Sequence, residues 1–275
     1  VRWKRKLAAL LTGVCLAAGL QAGPATAIVG GMEAVPYRHQ FMAGLIHSSQ
    51  PRHVFCGATL ISPRYVLTAA GCVEGKDAHE LGVLLGDHDY GTTADSGFRP
   101  VLARATMIIL HENYDPWTLD NDIALVQLVK PVQTHMKINV AYLPWEHEPD
   151  SFDNVTATAM GWGNERLGGP VSTVLQSVQL DTMTNAECAS RGEENLNGSI
   201  CTYTPGRDAC QGDTGGPVIY DAGYPVLIGI ISTGKGCAAG SPGVNTRVSS
   251  YLQWILQKTP DATYSSRGSW AESRP

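Results

Sequence analysis

Between residues 41 and 248 the chain is a succession of short apolar or alternating runs, each closed by turn residues. They are FMAGLI (41–46), ATLIS (58–62), YVLTAA (65–70), HELGVLLG (79–86), RATMIIL (104–110) and IALVQL (123–128). VTATAMGW (155–162), STVLQSVQL (172–180), GPVIY (216–220), YPVLIGIIS (224–232) and GVNTRV (243–248) follow. Runs this short suit strands, and their spacing by turn residues is the pattern of antiparallel sandwiches or barrels. A content of 30 Gly and 16 Pro, with only 16% charged residues, fits many turns better than a helical bundle. Residues 129–150 hold no strong strand and read as a crossing between two β units. VSSYLQWIL (248–256) breaks the pattern: its apolar residues 248, 251, 252, 255 and 256 share one helical face. That spacing predicts a closing helix over 248–257. Residues 258–275 read as a disordered tail.

The first 27 residues read differently. Arg2, Lys4, Arg5 and Lys6 precede an apolar run, LAALLTGVCLAAGL (7–20), and a small-residue site, ATA (25–27). Together they read as a secretory signal peptide, too short in its apolar part for a spanning helix of about 20 residues. Cleavage after Ala27 would expose Ile28; cleavage after Ala22 would leave a short propeptide, GPATA. The signal takes four of the 20 Lys and Arg and no acid, so the remainder is more acidic than the formal −5 of the whole chain. An acidic surface gives no electrostatic reason to bind nucleic acid or anionic membrane. Cys15 leaves with the signal, so six of the 7 Cys remain. In an exported protein they suggest three disulfides, with 15 pairings open to sequence. No Cys-x-x-Cys or His-x-x-x-His spacing points to a metal.

Six motifs carry a family resemblance. IVGG (28–31), FCGATLIS (55–62) with LTAAGC (67–72), DNDIALVQL (120–128), GWG (161–163), DACQGDTGGP (208–217) and GIISTGKGC (229–237) occur in that order. Over residues 28–257 the sequence resembles the chymotrypsin/trypsin family of serine proteases. The resemblance implies an all-β fold of two perpendicular six-stranded antiparallel barrels, about 28–135 and 150–247, with a C-terminal helix and a site in the cleft between them. It implies the disulfides Cys56–Cys72, Cys188–Cys201 and Cys210–Cys237.

The same resemblance places a catalytic triad, and there the sequence departs. Peptide hydrolysis in this family needs a serine hydroxyl, a histidine to take its proton and an aspartate to orient the histidine. Asp122 matches the aspartate. Gly71 stands where the histidine belongs and has no side chain to accept a proton. Thr214 stands where the serine belongs; its extra methyl stiffens χ1 and crowds the cleft. Loss of either partner in an analogous triad costs on the order of 10⁶ in turnover. His53 and His111 are the histidines nearest strand ends of the first barrel, but nothing in the sequence puts either beside Thr214.

The rest of the implied site is present. Gly212 and Thr214 match the two backbone donors of the oxyanion hole. Asp208 matches the base of the specificity pocket, where an acid selects Arg or Lys. Gly234 and Gly243 match the pocket walls, and Ser232 the strand that binds substrate. Thr233 departs from the Trp usual at its position. Ile28 and Asp213 match the pair that forms when the amino terminus is freed. Some relatives bind calcium after the strand at 79–86, where Asp87, Asp89 and Asp95 lie in no loop pattern that specifies it; no other cofactor is implied.

The reading that follows is a secreted homologue of a trypsin-like protease, inactive or strongly impaired, that keeps an Arg/Lys-selective pocket for binding. Its expected partner is a peptide or protein loop bearing Arg or Lys, such as a protease-cascade protein or an inhibitor, and it is expected to act as a monomer. The alternatives are an active threonine-nucleophile endopeptidase cutting after Arg or Lys, and a secreted scaffold with an irrelevant cleft. Fold alone does not choose among them.

Overall fold

The computed structural model describes residues 28–92, 99–144 and 149–265. The expected signal peptide lies outside them. The alternating runs form strands where their pattern predicts. β1 is Met32–Glu33, β2 Met42–His47, β3 Val54–Ser62, β4 Tyr65–Thr68, β5 Leu81–Leu85, β6 Val101–Leu110 and β7 Ala124–Leu128. β8 is Thr156–Gly161, β9 Gln176–Met183, β10 Ser199–Thr202, β11 Pro217–Asp221, β12 Pro225–Gly234 and β13 Gly243–Arg247. In β9, Gln176, Val178 and Leu180 are buried while Gln179 and Asp181 face solvent, the period of two of a half-buried strand.

Two closed, six-stranded antiparallel barrels result. The first runs β2-β3-β4-β7-β6-β5 and closes through β5 on β2. The second runs β9-β10-β13-β12-β11-β8 and closes through β8 on β9. Closure leaves neither barrel an open edge. The segment after β7 carries no named strand up to residue 144, as its sequence predicts; it crosses through single bridges, such as Tyr142 beside Val226. Among the described residues three short α-helices interrupt the strands: α1 (Ala70–Val73), α2 (Asn185–Ser190) and α3 (Leu252–Lys258), the last preceded by a 3-10 turn, Val248–Tyr251. Val248, Tyr251, Leu252 and Ile255 of the closing helix are buried as predicted, but Leu256 is exposed and Trp254 is buried in its place. The Trp254 indole reaches the first barrel, donating to Glu112 Oε2 at 2.7 Å.

Two expectations are corrected. Residues 28–33, grouped by the sequence with the first barrel, dock on the second: β1 pairs with β9, and Ile28 lies in the second barrel's core. Residues 259–265, expected in the tail, are not loose. Leu143 N–H donates to Thr263 O at 2.8 Å, Ser265 N–H donates to Leu143 O at 2.8 Å, and Thr259 and Ser265 are buried. The polar composition concealed this docking because it is made by backbone groups, which every residue type carries.

The three implied disulfides are the ones formed: Cys56–Cys72, Cys188–Cys201 and Cys210–Cys237. They close loops of 16, 13 and 27 residues, each worth about 3 kcal/mol in the chain-entropy account. The barrels meet where side chains vanish. A Cβ on Gly57 would stand 2.5 Å from Gly216 Cα, so only glycine lets β3 approach the loop before β11. There Gly57 N–H donates to Thr214 O at 2.8 Å.

Candidate active-site cleft

Asp122 is positioned by both barrels. The turn before β7 puts Leu119 and Asn121 at positive φ, which turns Asp122 inward to 2% exposure. Its backbone oxygen accepts from Thr246 Oγ1 of β13 at 2.7 Å. Its carboxylate accepts from Ser232 Oγ at 2.6 Å through Oδ2, and from Gly71 N–H at 2.9 Å through Oδ1. Burial raises its pKa, opposed by the donors Ser232, Gly71 and Ala70. The carboxylate is therefore held against the residue-71 position by hydrogen bonds from three directions.

Among the described residues no imidazole meets it there. Gly71 lies exposed in α1, and a Cβ built on it would find only Tyr114 Oη at 3.2 Å and Asp122 Oδ1 at 3.7 Å within 4 Å. The Tyr114 hydroxyl has its pKa pushed up to about 12, first by burial and then by the negative charge of Asp122. Thr214 Oγ1 is 3.5 Å from Ser232 O, longer than a good hydroxyl hydrogen bond. Ser232 is thus the shared neighbour of Thr214 and Asp122. The two candidate histidines are elsewhere. His111 packs its ring on Tyr251 and Trp254, and His53 is exposed in the turn before β3. Among the described residues neither hydrogen-bonds Thr214.

Beside Thr214 opens a pocket of about 230 Å³, which gathers Asp208, Ser232, Thr233, Gly234 and Gly243 from separate segments. Asp208 is 7% exposed, and its Oδ2 accepts from Ala238 N–H at 3.0 Å. Burial lifts its pKa to about 6, against the backbone donors Ala238 and Ala209. The walls are backbone: Gly243 comes within contact of Asp208 Oδ1, and a Cβ there would stand 3.2 Å from it. At the mouth, Gly212 lies at φ +92, and the N–H groups of Gly212 and Thr214 have no acceptor among the described residues. The N–H of Asp213, between them, is engaged with Cys210 O at 3.0 Å.

Asp213 itself points away from the cleft. It is fully buried and accepts from Gly163 N–H and Cys210 N–H, both at 2.8 Å. Burial raises its pKa to about 7. A Cβ on Gly163 would be 2.6 Å from the Asp213 carboxyl carbon, so that glycine makes room for the carboxylate. Ile28 is inserted nearby, with no exposure, its N–H donating to Asn164 O at 3.3 Å. Its φ is +65, a strained value for a β-branched residue.

The acids after the strand at 79–86 are placed only in part. Asp89 Oδ1 caps its own turn, accepting from Gly91 N–H at 3.0 Å, and Asp95 lies outside the described residues. Among the described residues no three His, Cys, Asp or Glu side chains gather to hold a metal. A larger groove, about 600 Å³, lies between residues 30–41 and the outside of the second barrel, and no cleft residue lines it.

A family model described as "Trypsin" matches residues 28–255. The chain belongs to the trypsin family of serine proteases. Among trypsin-family relatives, "Venom serine protease 34" of Apis mellifera is 38% identical over 245 residues, 86% of this chain and 60% of that protein. "Chymotrypsin-2" of Vespa crabro is 35% identical over 229 residues, covering 83% of this chain and 98% of its own. "Brachyurin" of Leptuca pugilator is 37% identical over 238 residues, 84% and 98%. The bee protein is thus the longer one, and this chain spans less than two thirds of it. Within this trypsin-family cleft, sequence reasoning missed Tyr114, which faces Gly71, and Leu167 and Gln211, which line the Asp208 pocket. All three lie in loops, outside any periodic pattern that would single them out.

Proposed function

We propose that this chain is a secreted trypsin-family protein that binds rather than cuts. It takes a peptide or protein loop by an Arg or Lys side chain in the Asp208 pocket. The observation that carries the reading is the contrast inside one cleft. The pocket retains a buried acid at its base with only backbone donors, a ready partner for a cation. The reaction centre retains Asp122 and two unused backbone N–H groups but, among the described residues, offers Thr214 no base. A threonine hydroxyl without a base is a weak nucleophile.

Three disulfides and the apolar stretch 7–20 support secretion. The relatives named as venom proteases suggest an exported fluid as the setting, and a protease-cascade protein or an inhibitor as the source of the loop. A free Ile28 amine is the working start of the chain. Cutting before Ile28 removes the carbonyl that makes its positive φ costly, and gives buried Asp213 a cation to pair with.

The test uses protein beginning at Ile28, with Thr214→Ala beside it. Saturable binding of benzamidine, with no hydrolysis of an Arg-terminated fluorogenic amide above the Thr214→Ala control, is the expected result. A clear rate abolished by Thr214→Ala would make this an active peptidase and overturn the reading.

A further inference from the structure

Gly71 leaves a specific chemical environment, not merely space. One side is the edge of the Asp122 carboxylate, whose other contacts are fixed by Ser232 and the backbone. A second side is the Tyr114 hydroxyl, which makes no hydrogen bond among the described residues. Thr214 is close by: its carbonyl oxygen lies 3.4 Å from Sγ of Cys72, the residue after Gly71, and its hydroxyl has only a long contact to Ser232 O. A negatively charged acceptor with two underused hydroxyls near it suits a flat ring with one N–H and one ring acceptor.

Ser232 joins this place to the Asp208 pocket, since it lines the pocket and bonds Asp122. Building on the pocket reading above, we propose that the cleft is a two-point site for a peptide in which a histidine neighbours the basic residue. The basic side chain enters the Asp208 pocket, and the histidine imidazole lies over Gly71. There its N–H donates to Asp122, and the second ring nitrogen faces the hydroxyls of Thr214 and Tyr114. A lysine or arginine in the histidine's place carries three or four methylenes before its charge and overruns the short distance to Asp122. Asparagine has the donor but not the second ring nitrogen.

The experiment measures dissociation constants by fluorescence anisotropy for labelled hexapeptides on the protein starting at Ile28. The central pairs are His-Arg, Arg-His, Ala-Arg, Asn-Arg and Lys-Arg. One of the two histidine peptides is expected to bind about tenfold tighter than Ala-Arg, the scale of one charge-assisted hydrogen bond. Asn-Arg and Lys-Arg should stay near Ala-Arg. Free imidazole in the buffer should erase the histidine advantage without weakening Ala-Arg. Gly71→His supplies its own imidazole and should also erase it. Because a Cβ at residue 71 crowds Tyr114 Oη, the competition on the unaltered protein is the decisive measurement. Equal binding of Ala-Arg and both histidine peptides overturns the imidazole site and leaves the Asp208 pocket standing. No binding by any peptide overturns the pocket reading and this inference with it. A histidine advantage that survives free imidazole overturns the assignment to Gly71.

Discussion

Replacing Asp208 by Asn isolates the charge at the base of the pocket. Asn keeps the oxygen that accepts from Ala238 N–H and nearly the same volume, so the fold should be retained. What is lost is the charge-assisted contact to a bound cation. Hydrogen bonds to charged groups are worth about 1.5–3 kcal/mol, so benzamidine should bind roughly 10- to 150-fold more weakly. The pH profile gives an independent magnitude. Asp208 titrates at about 6 in the empty pocket because burial disfavours its charge. An amidinium stays charged throughout and needs the carboxylate ionised. Affinity should therefore be flat above pH 7 and fall as pH drops through 6, reaching about tenfold weaker at pH 5. Titration calorimetry at pH 5, 6, 7 and 8 on both proteins reads this directly. Asp213, also raised by burial, titrates nearby, so any step that persists in Asp208→Asn belongs to it. Unchanged affinity in Asp208→Asn, or a profile flat from pH 5 to 8 in the unaltered protein, would refute the pocket's electrostatic logic.

Three further outcomes are expected. Gly71→His with Thr214→Ser should create Arg-directed amidase activity from a baseline near zero. Adding Tyr114→Phe should raise it, by removing the hydroxyl that stands 3.2 Å from the new Cβ; a folded but inactive double variant would show that more than two side chains are missing. Where Ile28 remains in peptide linkage, Asp213 has a folded pKa of about 7 against 3.8 for the free side chain. Its stabilising contribution is then complete below pH 4 and lost as pH rises through 7, by roughly a few kcal/mol. Urea midpoints against pH should show that fall, Asp213→Asn should remove it, and freeing the Ile28 amine should reverse its sign. Truncation after Lys258 should orphan the buried Leu143 N–H and lower the melting temperature by roughly 5–10 °C; an unchanged melting temperature would mean the docked segment adds nothing.

The strands of both barrels were legible wherever apolar residues alternate or run together. β10 was missed because four residues, Ser199–Thr202, carry no period of their own; it is held by pairing with β13 and β9. α1 was missed because its first residue, Ala70, ends the run YVLTAA, which reads as a strand, whereas the chain turns at Ala69 to form the helix. α2 is capped by Thr184, whose hydroxyl accepts from Glu187 N–H, a local signal present in the sequence but overshadowed by the strands around it. The disulfide pairing was legible only through family resemblance, since spacing alone left 15 choices. The pocket's Gln211 and Leu167, and Tyr114 at Gly71, depend on how distant loops fold together, and no local pattern encodes that.

The two departures at the triad have different physical weight. Gly71 removes a side chain and leaves its backbone N–H bonded to Asp122, so the carboxylate remains satisfied without the imidazole. Thr214 keeps a hydroxyl and, more importantly, keeps its backbone: the carbonyl anchors β3 through Gly57, and the N–H remains unused at the pocket mouth. What these two positions give the cleft from the main chain is therefore present, and what Gly71 does not supply is a proton acceptor. A main-chain framework can hold a substrate carbonyl and a basic side chain in place, but it cannot remove the proton from Thr214. On the proposed reading, binding and bond cleavage separate along the line between backbone and side chain. That separation is why restoring two side chains is the sharpest test of whether this cleft is a protease site at rest or a site rebuilt for holding.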